Sequence, residues 1–198
     1  MLRVLVNGEV LDFQIENEKT VGEVLGEVEQ FCNQNNHAVF KLLVDDKEVP
    51  LESIDDIFAL PSDTEMTVGL FTKSADEIRK DIAEYGTEFI AMAKSLADVS
   101  IKLQTSDDSF VLELLSNIST SLKAVFSFFS LEPISGIGIQ TIVSEVPLLE
   151  TQQKISAFLK DITTAFEEKD IITVSDISEY ELAPLLETFG NALQSICS

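Results

Sequence analysis

The chain has few of the residues that mark common functional classes. Its 198 residues include two cysteines, Cys32 and Cys197, and a single histidine, His37. Two distant cysteines make no disulfide framework, and Cys32 lies on an apolar helical face, which is typical of a small buried residue rather than a nucleophile. His37 has no cysteine or acidic cluster beside it at metal-ligand spacing, so we expect no metal site.

Basic charge is also scarce. There are 13 basic residues against 35 acidic ones, which gives a formal net charge of −22. The acidity is spread through the chain, with a net −10 in residues 1–73 and −12 in residues 74–198. Binding to nucleic acid needs clustered lysine and arginine, so it is not expected. The charge indicates either a solvated surface or electrostatic steering towards a basic partner.

Long apolar runs are missing as well. No stretch is long and apolar enough to span a bilayer, and a strand pattern begins at Leu2, so we expect no signal peptide and a cytoplasmic protein. No glycine-rich phosphate loop and no nucleophile-elbow motif are present. We therefore expect no catalytic residue and no cofactor, and an enzyme ranks third among the functional hypotheses.

The first 72 residues carry an ordered pattern of strands and helices. Asn7-Gly8 suits a type I′ hairpin turn, and Thr20 with Glu23 forms a capping box at the start of a helix. Period-two alternation predicts strands at 2–6, 11–16, 38–44 and 66–71, and helical spacing predicts helices at 21–32 and 53–60.

This order resembles the ubiquitin-like β-grasp fold, by pattern rather than by sequence fingerprint. The resemblance implies that the helix packs across one face of the sheet, and that the other face binds a partner. The chain continues from Phe71 through Thr72 and Lys73 into a helix without a free Gly-Gly, so conjugation chemistry is not implied. No cysteine cluster of the iron–sulfur β-grasp proteins is present.

Strand phase selects candidate binding residues on this sheet. The residues expected to face the helix are Leu2, Val4, Val6, Leu42, Val68 and Leu70. Their neighbours Leu5, Leu43 and Phe71 then face the other way and form an apolar patch that must be covered. Either helices of this chain or a partner protein can cover it.

Residues 74–198 show a different, purely helical pattern that begins with a second capping box, Ser74 to Glu77. Apolar residues at heptad spacing form four seams, over residues 78–103, 111–129, 142–166 and 174–196. Four such seams predict an antiparallel four-helix bundle. The same spacing is also compatible with coiled-coil dimerisation.

A further candidate surface is the apolar stretch 124–144, in which Glu132 is the only charged residue. Phe126, Phe128 and Phe129 nearly encircle their helix, and Ile137 follows in the connection. These side chains either pack inside the protein or form a hydrophobic groove or homodimer face.

The sequence thus predicts an α+β protein with a ubiquitin-like β-grasp domain at 1–73 and a helical bundle domain at 74–198. We expect a non-enzymatic interaction protein, an adaptor or assembly factor, that binds another protein with a basic or helical contact surface. The alternative is an acidic chaperone of the secretion or flagellar type that holds a client segment.

Overall fold

The computed structural model describes residues 2–13, 15–104 and 108–197. A mixed α+β architecture is confirmed, with a five-stranded sheet at the N-terminus followed by a helical region. Contacts divide the chain into two compact units. The first comprises Met1–Glu77 with Pro133–Gly136, and the second comprises Ile78–Glu132 with Ile137–Ser198.

The N-terminal sheet is mixed. Its elements in chain order are β1 (Arg3–Val6), β2 (Glu9–Val10), α1 (Val21–Gln34), β3 (His37–Val44), β4 (Lys47–Glu48), α2 (Leu51–Phe58) and β5 (Thr67–Ser74). The strands lie in the order β2-β1-β5-β3-β4. The central pair β1–β5 is parallel, and the other pairs are antiparallel.

The local turn and capping signals form as predicted. Asn7 and Gly8 have φ of 51° and 86°, so both occupy the left-handed region that a type I′ turn requires. The Thr20 Oγ1 accepts a hydrogen bond from the Glu23 N–H at 3.2 Å. The Glu23 carboxylate accepts in return from the Lys19 N–H at 2.5 Å, one residue before the usual capping-box position.

The core of this unit lies between the sheet and α1, and it confirms the predicted phase. Val4, Val68 and Leu70 are buried in it, and Leu42 packs against it. Along α1 the buried residues are Val21, Val24, Leu25, Val28 and Cys32. The even-numbered strand residues thus point to the helix, as the alternation requires.

Two predictions for this unit are wrong in detail. The second strand covers only Glu9–Val10. Beyond it, the Leu11 N–H still donates a hydrogen bond to the Val4 carbonyl oxygen at 2.9 Å. Leu11, Phe13 and Ile15 lie outside the strand but pack against the core, while Gln14 lies outside the described residues. Phe31 fits the apolar spacing of α1 but is 56% exposed, because it lies at the edge of the helix face that contacts the sheet.

The helical region is divided into more elements than the four helices that the apolar seams predict. Its elements are α3 (Ala75–Leu96), α4 (Val99–Gln104), α5 (Asp108–Phe129), α6 (Glu132–Ser135), β6 (Ile142–Val143), β7 (Val146–Pro147), α7 (Leu148–Glu167), α8 (Ile171–Asp176), a π-helical segment (Ile177–Leu182), α9 (Ala183–Gln194) and a 3₁₀ turn (Ser195–Cys197). Between the first two seams, residues 105–108 (Thr-Ser-Asp-Asp) are predicted to form a turn and a helix cap, but they lie mostly outside the described residues.

The third predicted helix begins later than its seam suggests. Residues 142–147 form the hairpin β6–β7, closed by Ser144 and Glu145 with φ of 50° and 69°. Ile142 is 67% exposed on this hairpin rather than inward on a helix. The first predicted helix is similarly divided by a turn at residues 97–98 into α3 and α4.

The π-helical segment shifts the buried face of the last helix. A π turn contains an extra residue, so the apolar seam changes phase there. Ser178 and Leu186 are fully buried, whereas the predicted Ile177 and Leu185 are only half-buried. The predicted positions Val174, Leu182, Phe189 and Leu193 are buried as expected.

Ser178 provides a test of this segment. Its buried Oγ has no hydrogen-bond partner among the described residues. An unsatisfied buried hydroxyl is destabilising, so we expect Ser178→Ala to raise the free energy of unfolding by about 1 kcal/mol. Chemical denaturation of both proteins measures the difference, and a less stable alanine variant would contradict this explanation.

The cysteines give a second test. Cys32 is 5% exposed, and burial raises the pKa of its thiol, while Cys197 is exposed. A thiol reacts as the thiolate, so Cys32 should resist modification in the folded protein. We expect an aromatic disulfide reagent, dithiobis(nitrobenzoate), to react with one thiol in the native protein and with both thiols in denaturant. Rapid reaction of both thiols in the native state would show that the α1 core is open.

Candidate functional site

The candidate site is the face of the N-terminal sheet that points away from α1. In the strand register Leu5 and Leu43 lie opposite Gly69 from either side, so these three residues form one row across β1, β5 and β3. Phe71 lies two residues further along β5 on the same face. The three predicted residues Leu5, Leu43 and Phe71 are therefore brought together, and each is half-buried.

Gly69 makes the centre of this row a shallow depression. A Cβ built on Gly69 would lie 3.8 Å from the Leu43 Cβ and 3.8 Å from the Phe71 Cε2. Among the described residues beyond its chain neighbours, no other heavy atom comes within 4 Å of that position. The immediate neighbours of this position are thus side chains of the row and of Phe71.

Further apolar residues extend the face. Val10 on β2 pairs with Leu5 and is 53% exposed. The pairing of β3 with β5 shifts between Val39 and Lys41, which leaves Phe40 as an extra residue that is 40% exposed. The open face is the surface formed by Leu5, Val10, Leu43, Gly69 and Phe71 with the polar strand residues between them.

The strand residues on the open face include more basic than acidic side chains, although the chain as a whole is acidic. Register and alternation place Arg3, Lys41 and Lys73 on this face, against a single acidic strand residue, Glu48. The Lys41 Nζ lies 2.6 Å from the Glu48 Oε1, which lowers the pKa of Glu48 through that hydrogen bond. The Lys73 Nζ lies 4.8 Å from the centroid of the Phe40 ring. Three of the five basic residues of 1–73 therefore lie on this face.

The second predicted surface is used largely for internal packing. Phe129 is 4% exposed, and its ring meets that of Phe126 at 5.2 Å in an edge-on arrangement. The Phe128 ring lies 6.2 Å from that of Tyr85. Phe126, Phe128 and Ile137 are half-buried. Phe129 is therefore a buried side chain in this conformation.

Comparison with known proteins gives a family. The family model described as a domain of unknown function (DUF8042) matches residues 75–192. The chain belongs to this family. A second model, described as the TP0873 N-terminal domain, matches residues 2–74. A protein of Treponema pallidum (strain Nichols), described as an uncharacterized protein, is 30% identical over 190 residues, which is 96% of this chain and 95% of that protein. No solved structure matches the chain.

The border between the two matched domains falls at the start of α3. Ser74 is the last residue of the first match, and its Oγ accepts a hydrogen bond from the Glu77 N–H at 3.3 Å. The Glu77 carboxylate accepts from the Ser74 N–H at 2.8 Å, which completes a reciprocal capping box. The Ser74 N–H and the Ser74 hydroxyl, at 2.7 Å, both donate to this carboxylate, and these two bonds lower the pKa of Glu77. The predicted capping box therefore forms.

The described residues contain no group of three or more histidine, cysteine, aspartate or glutamate side chains that could hold a metal ion. The His37 Nδ1 lies 2.8 Å from the Asn35 carbonyl oxygen, in the turn between α1 and β3. Among all the residues that the structure describes, no helix is both long and apolar enough to cross a membrane.

Proposed function

We propose that this chain is a non-enzymatic protein-interaction module, an adaptor or assembly factor, that binds a partner protein through the open face. The observation that carries the proposal is the row Leu5–Gly69–Leu43, in which apolar side chains flank a glycine whose Cβ position has only ordinary contacts, with Leu43 and Phe71. Apolar surface of this kind is costly to leave in water, and a partner that buried it would gain that free energy.

The charges around the row favour a partner whose contact surface is acidic. Arg3 and Lys41 are exposed on a face that carries one acidic strand residue, within a protein of formal charge −22. Complementary charges set partner choice and speed association more than they raise affinity. This is the reverse of the basic partner that the net charge alone favours, because the open face differs from the average surface.

We propose that the N-terminal unit is a ubiquitin-like β-grasp domain, which the strand order β2-β1-β5-β3-β4 with a parallel central pair supports. We also propose that α3–α4, α5, α7 and α8–α9 correspond to the four members of an antiparallel bundle. The resemblance to ubiquitin-like proteins favours partner binding on the sheet face opposite the helix.

Photo-crosslinking tests the proposed site. A benzophenone amino acid is placed at Val10 on the open face or at Phe31 on α1, two positions of almost equal exposure, 53% and 56%. In cells that naturally produce the chain, we expect a discrete protein adduct from Val10 and not from Phe31. The Val10 adduct should disappear in Gly69→Glu, whose side chain fills the depression.

The outcomes are distinct. An adduct from Phe31 alone would move the binding surface to the helix side of the unit. A Val10 adduct that persists at full yield in Gly69→Glu would show that the contact does not involve the row. Either result contradicts the proposed function.

A further inference from the structure

The helical unit contains an apolar groove between α5 and α7 that the proposed function does not use. Two clefts, of about 430 and 560 Å³, share Ser119 of α5 and Leu159 of α7. One cleft extends from these residues to Phe126 and Gln152, and the other extends to Leu112 and Glu167. The two clefts are therefore one continuous groove between antiparallel helices.

The dimensions of the groove match a helix. It follows α5 from residue 112 to 126 and α7 from 152 to 167, about 21 Å at 1.5 Å per residue. This length corresponds to about four turns of helix. The lining residues recur at three- and four-residue steps on both helices, which is the spacing that receives a third helix.

Apolar side chains form the floor of the groove, and short polar or basic side chains form its rims. Leu115 and Leu122 are 8% and 5% exposed, while Leu112 at one end is 50% exposed. The rims carry one lysine on each helix, Lys123 on α5 and Lys160 on α7, both exposed.

The charged residues that line the groove indicate which kind of helix can bind in it. Among the side chains that the structure describes, Glu167 is the one acidic residue that lines the groove, at one end of it, although residues 74–198 carry a net −12. An apolar floor between two lysines complements a helix with an apolar stripe and acidic residues on both sides of it. We infer that the α5–α7 groove binds an amphipathic helix of another protein, with acidic residues flanking its apolar stripe.

The test uses two synthetic helical peptides that share one leucine stripe and differ in the flanking residues, glutamate in one and lysine in the other. Amide chemical shifts of the full chain report where each peptide binds. We expect the glutamate peptide to shift the amides of Ser119 and Leu159, despite the negative charge of the chain. The lysine peptide should not select the groove.

Matched variants separate groove binding from general charge effects. Lys160→Glu lies on the groove and Lys154→Glu on the same helix outside its lining, and both lower the net charge by two. We expect Lys160→Glu to weaken binding of the glutamate peptide about tenfold and Lys154→Glu to change it less than about twofold. Ser119→Phe should block the groove, while Ser127→Phe, exposed on α5 outside the lining, should not.

Three results would overturn the inference. The first is preference of the lysine peptide for the groove, and the second is glutamate-peptide binding that survives Ser119→Phe or leaves Ser119 and Leu159 unshifted. The third is a dimer in light scattering that Ser119→Phe disrupts, because the occupant would then be a second copy. None of these bears on the open face, whose test is crosslinking from Val10.

Discussion

Gly190→Ala is expected to destabilise the helical unit strongly, although it adds only one methyl group. A Cβ on Gly190 would lie 2.6 Å from the Gly86 carbonyl oxygen, and a Cβ on Gly86 would lie 2.6 Å from the Gly190 carbonyl oxygen. The two glycines thus let the backbones of α3 and α9 touch. Next to them, the rings of Phe89 and Phe189 pack edge-on at 5.3 Å, both fully buried.

Side-chain rotation alone cannot accommodate an added methyl group, because its nearest neighbour at either position is a backbone carbonyl oxygen. The helices must separate, which loosens the phenylalanine pair and the hydrogen bond from the Gln194 Nε2 to the Thr87 Oγ1, 2.9 Å long. Overpacking of this kind costs about 1–3 kcal/mol or more. Alanine's higher helix propensity offsets about 1 kcal/mol of this cost, so we expect Gly190→Ala and Gly86→Ala each to lower the free energy of unfolding by about 1–2 kcal/mol in chemical denaturation.

Gly26→Ala is the matched control for these variants. Gly26 is exposed within α1, and among the described residues nothing lies within 4 Å of its Cβ position. Alanine in a helix interior is favoured over glycine by about 1 kcal/mol, so Gly26→Ala should stabilise its unit. A Gly190→Ala protein as stable as the unsubstituted chain would show that α3 and α9 do not pack so closely.

The second large effect is loss of partner binding in the double variant Leu43→Asp/Phe71→Asp. Both side chains lie on the open face and are half-buried, so two carboxylates there remain hydrated in the free protein. We expect the fold to persist, and the Val10 photo-adduct to fall at least about tenfold, because a desolvated carboxylate in the contact costs several kcal/mol.

Adjacent residues on the same strands provide the control. Leu42 packs on the core of the N-terminal unit, and Leu70 is 2% exposed within it. Leu42→Asp/Leu70→Asp should unfold this unit, which circular dichroism and amide dispersion would detect. If Leu43→Asp/Phe71→Asp unfolds the unit as well, the open face is internal core, and the chain's own helices cover it.

Sequence patterns predicted the parts of this fold that local chemistry determines. The Asn7-Gly8 turn, the caps at Thr20 and Ser74 and the strand phase all depend on residues a few positions apart. The hairpin turn at Ser144 and Glu145 has no such signal, because neither residue is a usual left-handed turn former. Sequence patterns do not predict the π-helical segment either, because the extra residue changes the phase of the apolar seam and no particular residue type marks its position.

The candidate site was predictable only in part for the same reason. Alternation placed Leu5, Leu43 and Phe71 on one face, but it gave no register between strands distant in sequence. Gly69 enters the site only through the parallel pairing of β1 with β5 and the antiparallel pairing of β3 with β5. Phe129 was selected on apolar character alone, which does not distinguish a binding residue from a core residue.

The central claim is that the open face is uncovered in the free chain and covered by a partner in the cell. Maleimide labelling of Gly69→Cys in a Cys197→Ser background tests it most directly, with Ile172→Cys, at 74% exposure in the unsubstituted chain, as the accessible reference. Because Gly69 is half-buried beside Leu43 and Phe71, we expect Gly69→Cys in purified protein to react completely but more slowly than Ile172→Cys, and to be protected in producing cells while the reference is not. A failure of Gly69→Cys to label in the folded purified chain would contradict the claim, because the chain itself would then cover the open face.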